Sequence, residues 1–172
     1  GDDVARDVAA SGFRTLVFVN AHGGNPELLR VAARDIRAQI GIHAYLVHAP
    51  DIDLPDELGA SIPRPDVDVH AGYYETSVML ALAPELVALP LSRPDGIEAV
   101  RALDDAGLRL DGPAALPWFT RDLSPSGVIG DPTGADAVWG RAALDHQGRA
   151  LAGLVERLAD HSELLDRRDP AE

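Results

Sequence analysis

Cysteine and lysine are both missing from the 172-residue chain. Without cysteine there is no disulfide framework and no thiolate metal site, so any metal would have to be held by histidine and carboxylates. Without lysine, all fifteen cationic side chains are arginine, set against 28 carboxylates for a net charge of −13. Nucleic acid and anionic membrane would both repel so acidic a chain, so neither is expected as a partner. No run of about 18 apolar residues is present, which leaves nothing able to span a bilayer as a helix. No basic segment leads into an apolar stretch in the manner of a signal peptide, and the chain is expected to be cytoplasmic. Aromatic residues are few, at 5%.

What is present reads as an ordinary globular composition, with 46% hydrophobic and 25% charged residues. Gly1–Ser11 has Val4, Ala5 and Val8 at helical spacing, and Gly12 follows as a helix stop. Phe13–Val19 is a continuous apolar run, the pattern of a strand buried on both faces. A polar turn follows, Asn20–Ala21–His22–Gly23–Gly24–Asn25. Asn25 is then a candidate N-cap, Pro26 suits the first helical position, and a helical pattern runs from Leu28 to Ile40 and stops at Gly41. Ile42–Val47 is the next strand. Strand, helix and strand at this length form a βαβ unit and predict an α/β fold with a mainly parallel sheet.

Residues 50–69 are rich in Asp and Pro and read as a long loop. Ala71–Ala83 reads as a helix stopped by Pro84, Leu86–Leu91 as a short strand, and Ile97–Ala106 as a short helix. A segment rich in glycine and proline leads from Leu110 to Pro132. A long helix is then expected from Thr133 to about His161, with Val138, Ala142, Leu151, Leu154, Val155 and Leu158 on its apolar face. Only two strands are clear, fewer than an α/β layer needs to cover its helices.

Three groups of residues could carry chemistry. The first is Asn20, His22, Gly23 and Gly24 at the carboxyl end of a strand, where ligands bind in open α/β sheets. The glycines let backbone approach a ligand, and His22 can ligate a metal, transfer a proton, or merely bond its own turn. In the second, His70 and Glu75 are five residues apart across a loop-to-helix junction and can face one cleft. A carboxylate ahead of an apolar helix is costly unless paired, metal-bound or favoured by the helix dipole. The third places Trp118, Arg121 and Asp122 near Ser124–Pro132, with Trp118 as a core residue or a substrate wall. His43, His48, His146 and His161 read as surface or satisfied core histidines.

GFRTLVFVNAHGGN, HAGYYETSVMLALAPELV and SPSGVIGDPTGA, in this order, resemble the creatininase family of metal-dependent amidohydrolases. The resemblance implies a three-layer α/β/α sandwich with a homo-oligomeric, ring-like assembly, its family-like domain covering residues 1–165 and a charged tail 166–172. It also implies a divalent metal (zinc, manganese or iron), one or two per full-length subunit, hydrolysing a C–N amide bond in a small molecule or a peptide end. By the resemblance His22 is a metal ligand and His70 the catalytic histidine. Glu75 is a ligand or a proton shuttle, and Asn20, Gly23, Gly24, Tyr73 and Trp118 line the substrate.

Departures from the family pattern narrow the reading. Creatininase proper has a metal-binding glutamate where this chain has Gly24. The branches acting on the mycofactocin precursor peptide and on formylated pyrimidine intermediates share the glycine. The family's E-x-H…D metal segment has no counterpart among the 21 residues before His22. The chain is therefore expected to correspond to the C-terminal two-thirds of a family member, binding metal weakly and turning over nothing alone. Two rival readings stand beside this one. His22–Gly23–Gly24 is similar to the oxyanion-hole turn of a serine hydrolase, but no G-x-S-x-G elbow occurs. A non-catalytic assembly or regulatory subunit could also keep the fold.

Overall fold

The computed structural model describes residues 2–110, 114–115 and 117–161. The elements run α1 (Asp2–Ala10), β1 (Thr15–Asn20), α2 (Pro26–Ile40), β2 (His43–His48), α3 (Asp56–Gly59), α4 (Tyr73–Leu82), α5 (Ile97–Asp105), α6 (Thr120–Leu123) and α7 (Ala137–His161). They fall into two compact units, Gly1–Asp53 with Gln147–Glu172, and Leu54–His146. The expected tail, residues 166–172, lies outside the described residues. Among those residues no helix is long and apolar enough to cross a membrane.

The first unit is the βαβ motif. β1 and β2 pair in parallel, with Thr15 opposite His43 and Asn20 opposite His48. α2 opens on Pro26 and closes on Gly41, whose left-handed backbone (φ 76°) turns its N–H to the Arg37 carbonyl. Asn25 does not cap the helix as expected. Its amide nitrogen instead donates to Asn20 Oδ1 (3.1 Å). Ala5, Ile36 and Ile42 form the core, with Val8, Ala9, Leu16, Phe18, Ile40 and Ala44 packed around them. Residues of α1, of α2 and of one face of the sheet thus share a single apolar cluster, as layer packing requires. Among the described residues the sheet has two strands.

In the second unit, Tyr73 of α4 packs with Trp139 and Ala143 of α7 at the core. The Tyr73 and Tyr74 rings meet the Trp139 ring edge-on, at centroid distances of 5.1 and 5.7 Å. The indole N–H of Trp139 donates to Ser61 Oγ (2.8 Å) and to the Leu58 carbonyl (3.2 Å), anchoring the stretch around α3. That stretch was expected to be plain loop; it contains α3 and 3-10 turns at Ala49–Asp51 and Pro65–Val67.

Two further expectations are corrected. Leu86–Leu91 is not a strand: its ends belong to two 3-10 turns, Pro84–Leu86 and Leu89–Leu91, joined by Val87 and Ala88. Pro84 and Pro90 have no N–H to give a ladder and are set for turns. α7 begins at Ala137, four residues later than expected, where Asp136 accepts the Trp139 N–H (2.7 Å). Its buried residues are Trp139, Gly140, Ala143 and Gln147, whereas Val138, Ala142 and Val155 face outward. In the first turns the contact-forming side is thus set by an aromatic ring and a glycine, while Leu151, Leu154 and Leu158 of the expected apolar face are half-buried further along.

Candidate functional site

The turn carrying His22 is held by Asn20, the last residue of β1, which is 5% exposed. Its side-chain amide bridges the backbone of His22: Oδ1 accepts the His22 N–H (3.4 Å) and Nδ2 donates to the His22 carbonyl (2.8 Å). His22 itself is exposed on this turn. Its Nε2 lies 3.0 Å from the place a Cβ would occupy on Gly24, so the absence of a side chain there makes room for the ring. Gly23 faces open space.

In the second unit the structure brings His70 and Glu75 together. His70 Nδ1 lies 3.5 Å from Glu75 Oε2, and the two side chains are 39% and 45% exposed. The His70 backbone is fixed by a two-way bridge to Ile129, through His70 N–H to Ile129 O (3.0 Å) and Ile129 N–H to His70 O (2.7 Å). Between the pair lies Ala71, a non-glycine residue in the left-handed region at φ 51°. The Glu-Thr-Ser run explains how it is kept there. Glu75 accepts the Ala71 N–H, and Thr76 Oγ1 donates to the Ala71 carbonyl (3.2 Å). Ser77, fully buried, accepts the Asp136 N–H at its hydroxyl (3.0 Å) and ties α4 to the start of α7.

Asp68 was not singled out by the sequence. Its carboxylate accepts the N–H groups of Tyr73 (2.8 Å) and Tyr74 (2.9 Å), two of the orphan donors at the start of α4. Gly72 is required beside it, because a Cβ there would sit 1.6 Å from Asp68 Oδ1. Burial raises the Asp68 pKa above its ordinary value of 3.8, against the lowering effect of the two N–H groups, with Glu75 and Asp131 adding to the rise. The one signal in the sequence was a carboxylate just ahead of a helix start.

Asp95 organises the late Ser124–Gly130 loop. It accepts from Ser126 Oγ (2.6 Å), Ser124 Oγ (2.8 Å) and the Ser126 N–H (3.1 Å), and its backbone pairs with Gly130. The Ser126 and Ser124 hydroxyls lead in holding its pKa well below the ordinary carboxylate range. These two acids give opposite responses to acid. A depressed carboxyl stabilises the fold at pH values above its unfolded pKa, and that contribution is lost as pH falls below about 3.8. A raised carboxyl costs stability at neutral pH, and the cost is relieved as pH falls through its raised pKa. Urea midpoints measured against pH should therefore show Asp95→Asn flattening the loss below pH 3.8. Asp68→Asn should remove a gain on the neutral side of it.

Of the remaining candidates, Tyr73 is 7% exposed and spends its ring on Trp139. Burial raises its hydroxyl pKa. Trp118 is half-buried ahead of α6. Arg121 stacks on Phe119, with its guanidinium carbon 4.8 Å from the ring centre, and Asp122 accepts the Phe119 N–H (2.8 Å). The His22 turn belongs to the first unit and the His70–Glu75 pair to the second. Imidazole and carboxylate are suitable donors for a divalent ion, so each of the two groups, taken by itself, has the chemistry to contribute to a ligand set. Among the described residues no three such side chains form a group able to hold one.

Known proteins share this sequence and fold. The mycofactocin precursor peptide peptidase of Mycobacterium ulcerans is 39% identical over 127 residues, covering 73% of this chain and 42% of that protein. The peptidase of the same name from Mycobacterium tuberculosis is 36% identical over 152 residues, covering 86% and 47%. The chain thus spans about half the length of the curated relatives it matches. A Bacteroides fragilis crystal structure assigned as a creatinine amidohydrolase superposes with a TM-score of 0.71 at 25% identity, over 92% of this chain and 59% of its own. A zinc–zinc creatininase and a manganese creatininase share the fold, at TM-scores of 0.65 and 0.64. The family profile described as creatinine amidohydrolase matches residues 2–155. This chain belongs to the creatininase family, whose α/β fold it carries.

Proposed function

We propose that this chain forms part of a metal-dependent amidohydrolase that cleaves a C–N bond at the end of a precursor peptide. The observation that carries the reading is the His70–Glu75 pair, 3.5 Å apart and open to solvent on both members. A carboxylate at Nδ1 orients the imidazole and leaves Nε2 to exchange protons with a substrate, the division of labour seen wherever a carboxylate supports a histidine base. Glu75 is itself aimed by the Ala71 N–H, and the Ile129 bridge fixes the His70 backbone. His70 then moves a proton to the departing amide nitrogen. His22 would serve as a metal ligand, with Asn20, Gly23 and Gly24 shaping its turn and Trp118 beside the substrate. A divalent ion, zinc or manganese, supplies Lewis-acid polarisation and an acidified water when bound.

The peptide branch is favoured over creatinine for two reasons. The relatives at 39% and 36% identity are precursor peptide peptidases. Gly24 also stands where creatininase proper has a metal-binding glutamate. The remaining ligands are proposed to come from an E-x-H…D segment outside the 172 residues. A homo-oligomer is proposed for the whole enzyme.

The test is a paired measurement. Titrated with zinc or manganese, the 172-residue chain should bind more weakly than micromolar and leave mycofactocin precursor peptide intact by mass spectrometry. Joined to an E-x-H…D segment, it should cut the peptide in an EDTA-sensitive reaction. Submicromolar binding with turnover by the 172 residues would overturn the divided ligand set. Cleavage that survives EDTA would overturn metal dependence and favour a serine mechanism.

A further inference from the structure

His48 closes β2 directly opposite Asn20 in the parallel register. The orientation of the Asn20 amide is fixed by its neighbours: the Asn25 amide donates to Oδ1 (3.1 Å), and His22 engages both ends. Reversed, it would set its oxygen against the His22 carbonyl and its NH2 against the His22 N–H. With Nδ2 donating one hydrogen to the His22 carbonyl, its second hydrogen points at His48 Nδ1, 2.8 Å away. Nδ1 must therefore accept, which puts the neutral ring's proton on Nε2. The competing arrangement, Nδ1–H donating to the Asn20 carbonyl, is longer at 3.3 Å and would set two N–H groups face to face.

We infer that His48 is a positioning residue for His22. It locks the Asn20 amide, and the amide in turn holds both backbone groups of His22. The inference rests on the reading of His22 as a ligand in the proposed centre, but the lock itself is a property of the metal-free chain. It also gives a role to a histidine whose sequence position suggested only surface or core.

Long-range ¹H–¹⁵N NMR on the 172-residue chain should show the His48 proton on Nε2. His48→Ala should shift the His22 and Asn20 side-chain and backbone amide resonances and weaken zinc binding by about ten-fold or more, the scale of losing a group that orients a ligand. His48→Asn, whose Oδ1 takes the place of Nδ1, should restore both. A proton on Nδ1 would overturn the inference. So would unchanged His22 resonances in His48→Ala, or failure of His48→Asn to restore them. If the unaltered chain binds zinc too weakly to measure, as a divided ligand set allows, the tautomer and resonance measurements alone decide the positioning role. If His48→Ala does not fold, the tautomer and His48→Asn decide it.

Discussion

Replacing His70 with alanine should lower peptide cleavage by about 10²–10⁴-fold in a polypeptide joining an E-x-H…D segment to this chain, the range for losing a positioned proton-transfer group. The loss should fall on kcat, because the proposed role is in moving a proton rather than in holding substrate. The fold should survive. His70 contributes its backbone to the Ile129 bridge, which alanine retains, and its side chain is 39% exposed. Glu75→Gln should cost less, because glutamine can still accept the Ala71 N–H while losing the charge beside Nδ1. Steady-state kinetics on the two variants checks this order. Unchanged turnover in His70→Ala would favour a non-catalytic role for the site.

Gly140→Ala should unfold the Leu54–His146 unit at markedly lower temperature. A Cβ at position 140 would lie 2.0 Å from the Ser77 carbonyl oxygen and 2.4 Å from its carbon. Both atoms are main chain within α4, so no rotamer change relieves the overlap and the two helices must part. Overpacking of this kind costs up to about 3 kcal/mol and sometimes more. For a chain of this size that corresponds to a fall of about 6–12 °C. Parting the helices would also strain the Asp136 N–H bond to Ser77 Oγ and the Tyr73–Trp139 contact. Gly148→Ala is the matched control, lying in the same helix with open space where the Cβ would go. It should raise stability by about 0.5–1 kcal/mol through better helix propensity. Calorimetry on the two variants should give opposite signs.

Local signals were the legible ones. The apolar β-branched runs gave β1 and β2 to within two residues, and Pro26 with Gly41 bracketed α2. His70 and Glu75 can be paired on paper because they are only five positions apart. What was not legible depends on partners far along the chain. Asp95 meets serines 29 and 31 residues away. Asp68 reads as one more acid in an acidic loop until Gly72 clears space for it. Aliphatic spacing gives only part of the α7 face: Leu151, Leu154 and Leu158 are half-buried, whereas Val138, Ala142 and Val155 face outward. The inner face is chosen by Trp139, anchored 78 residues back on Ser61, and by a glycine that periodicity cannot score. The value of His48 lies in the cross-strand register, which a single strand does not display.

Trp139 has a spectroscopic consequence. The chain has two tryptophans, Trp118 and Trp139, and both fall within Leu54–His146. Trp139 is 7% exposed, with an indole N–H bonded to Ser61 and tyrosine edges on its ring. Its emission should be blue-shifted in the folded state and move to the red when α7 releases α4. The βαβ unit, with no tryptophan, contributes nothing to this emission. Intrinsic fluorescence therefore follows the unit that holds His70 and Glu75, while loss of the unit that holds His22 passes unseen and needs circular dichroism to detect.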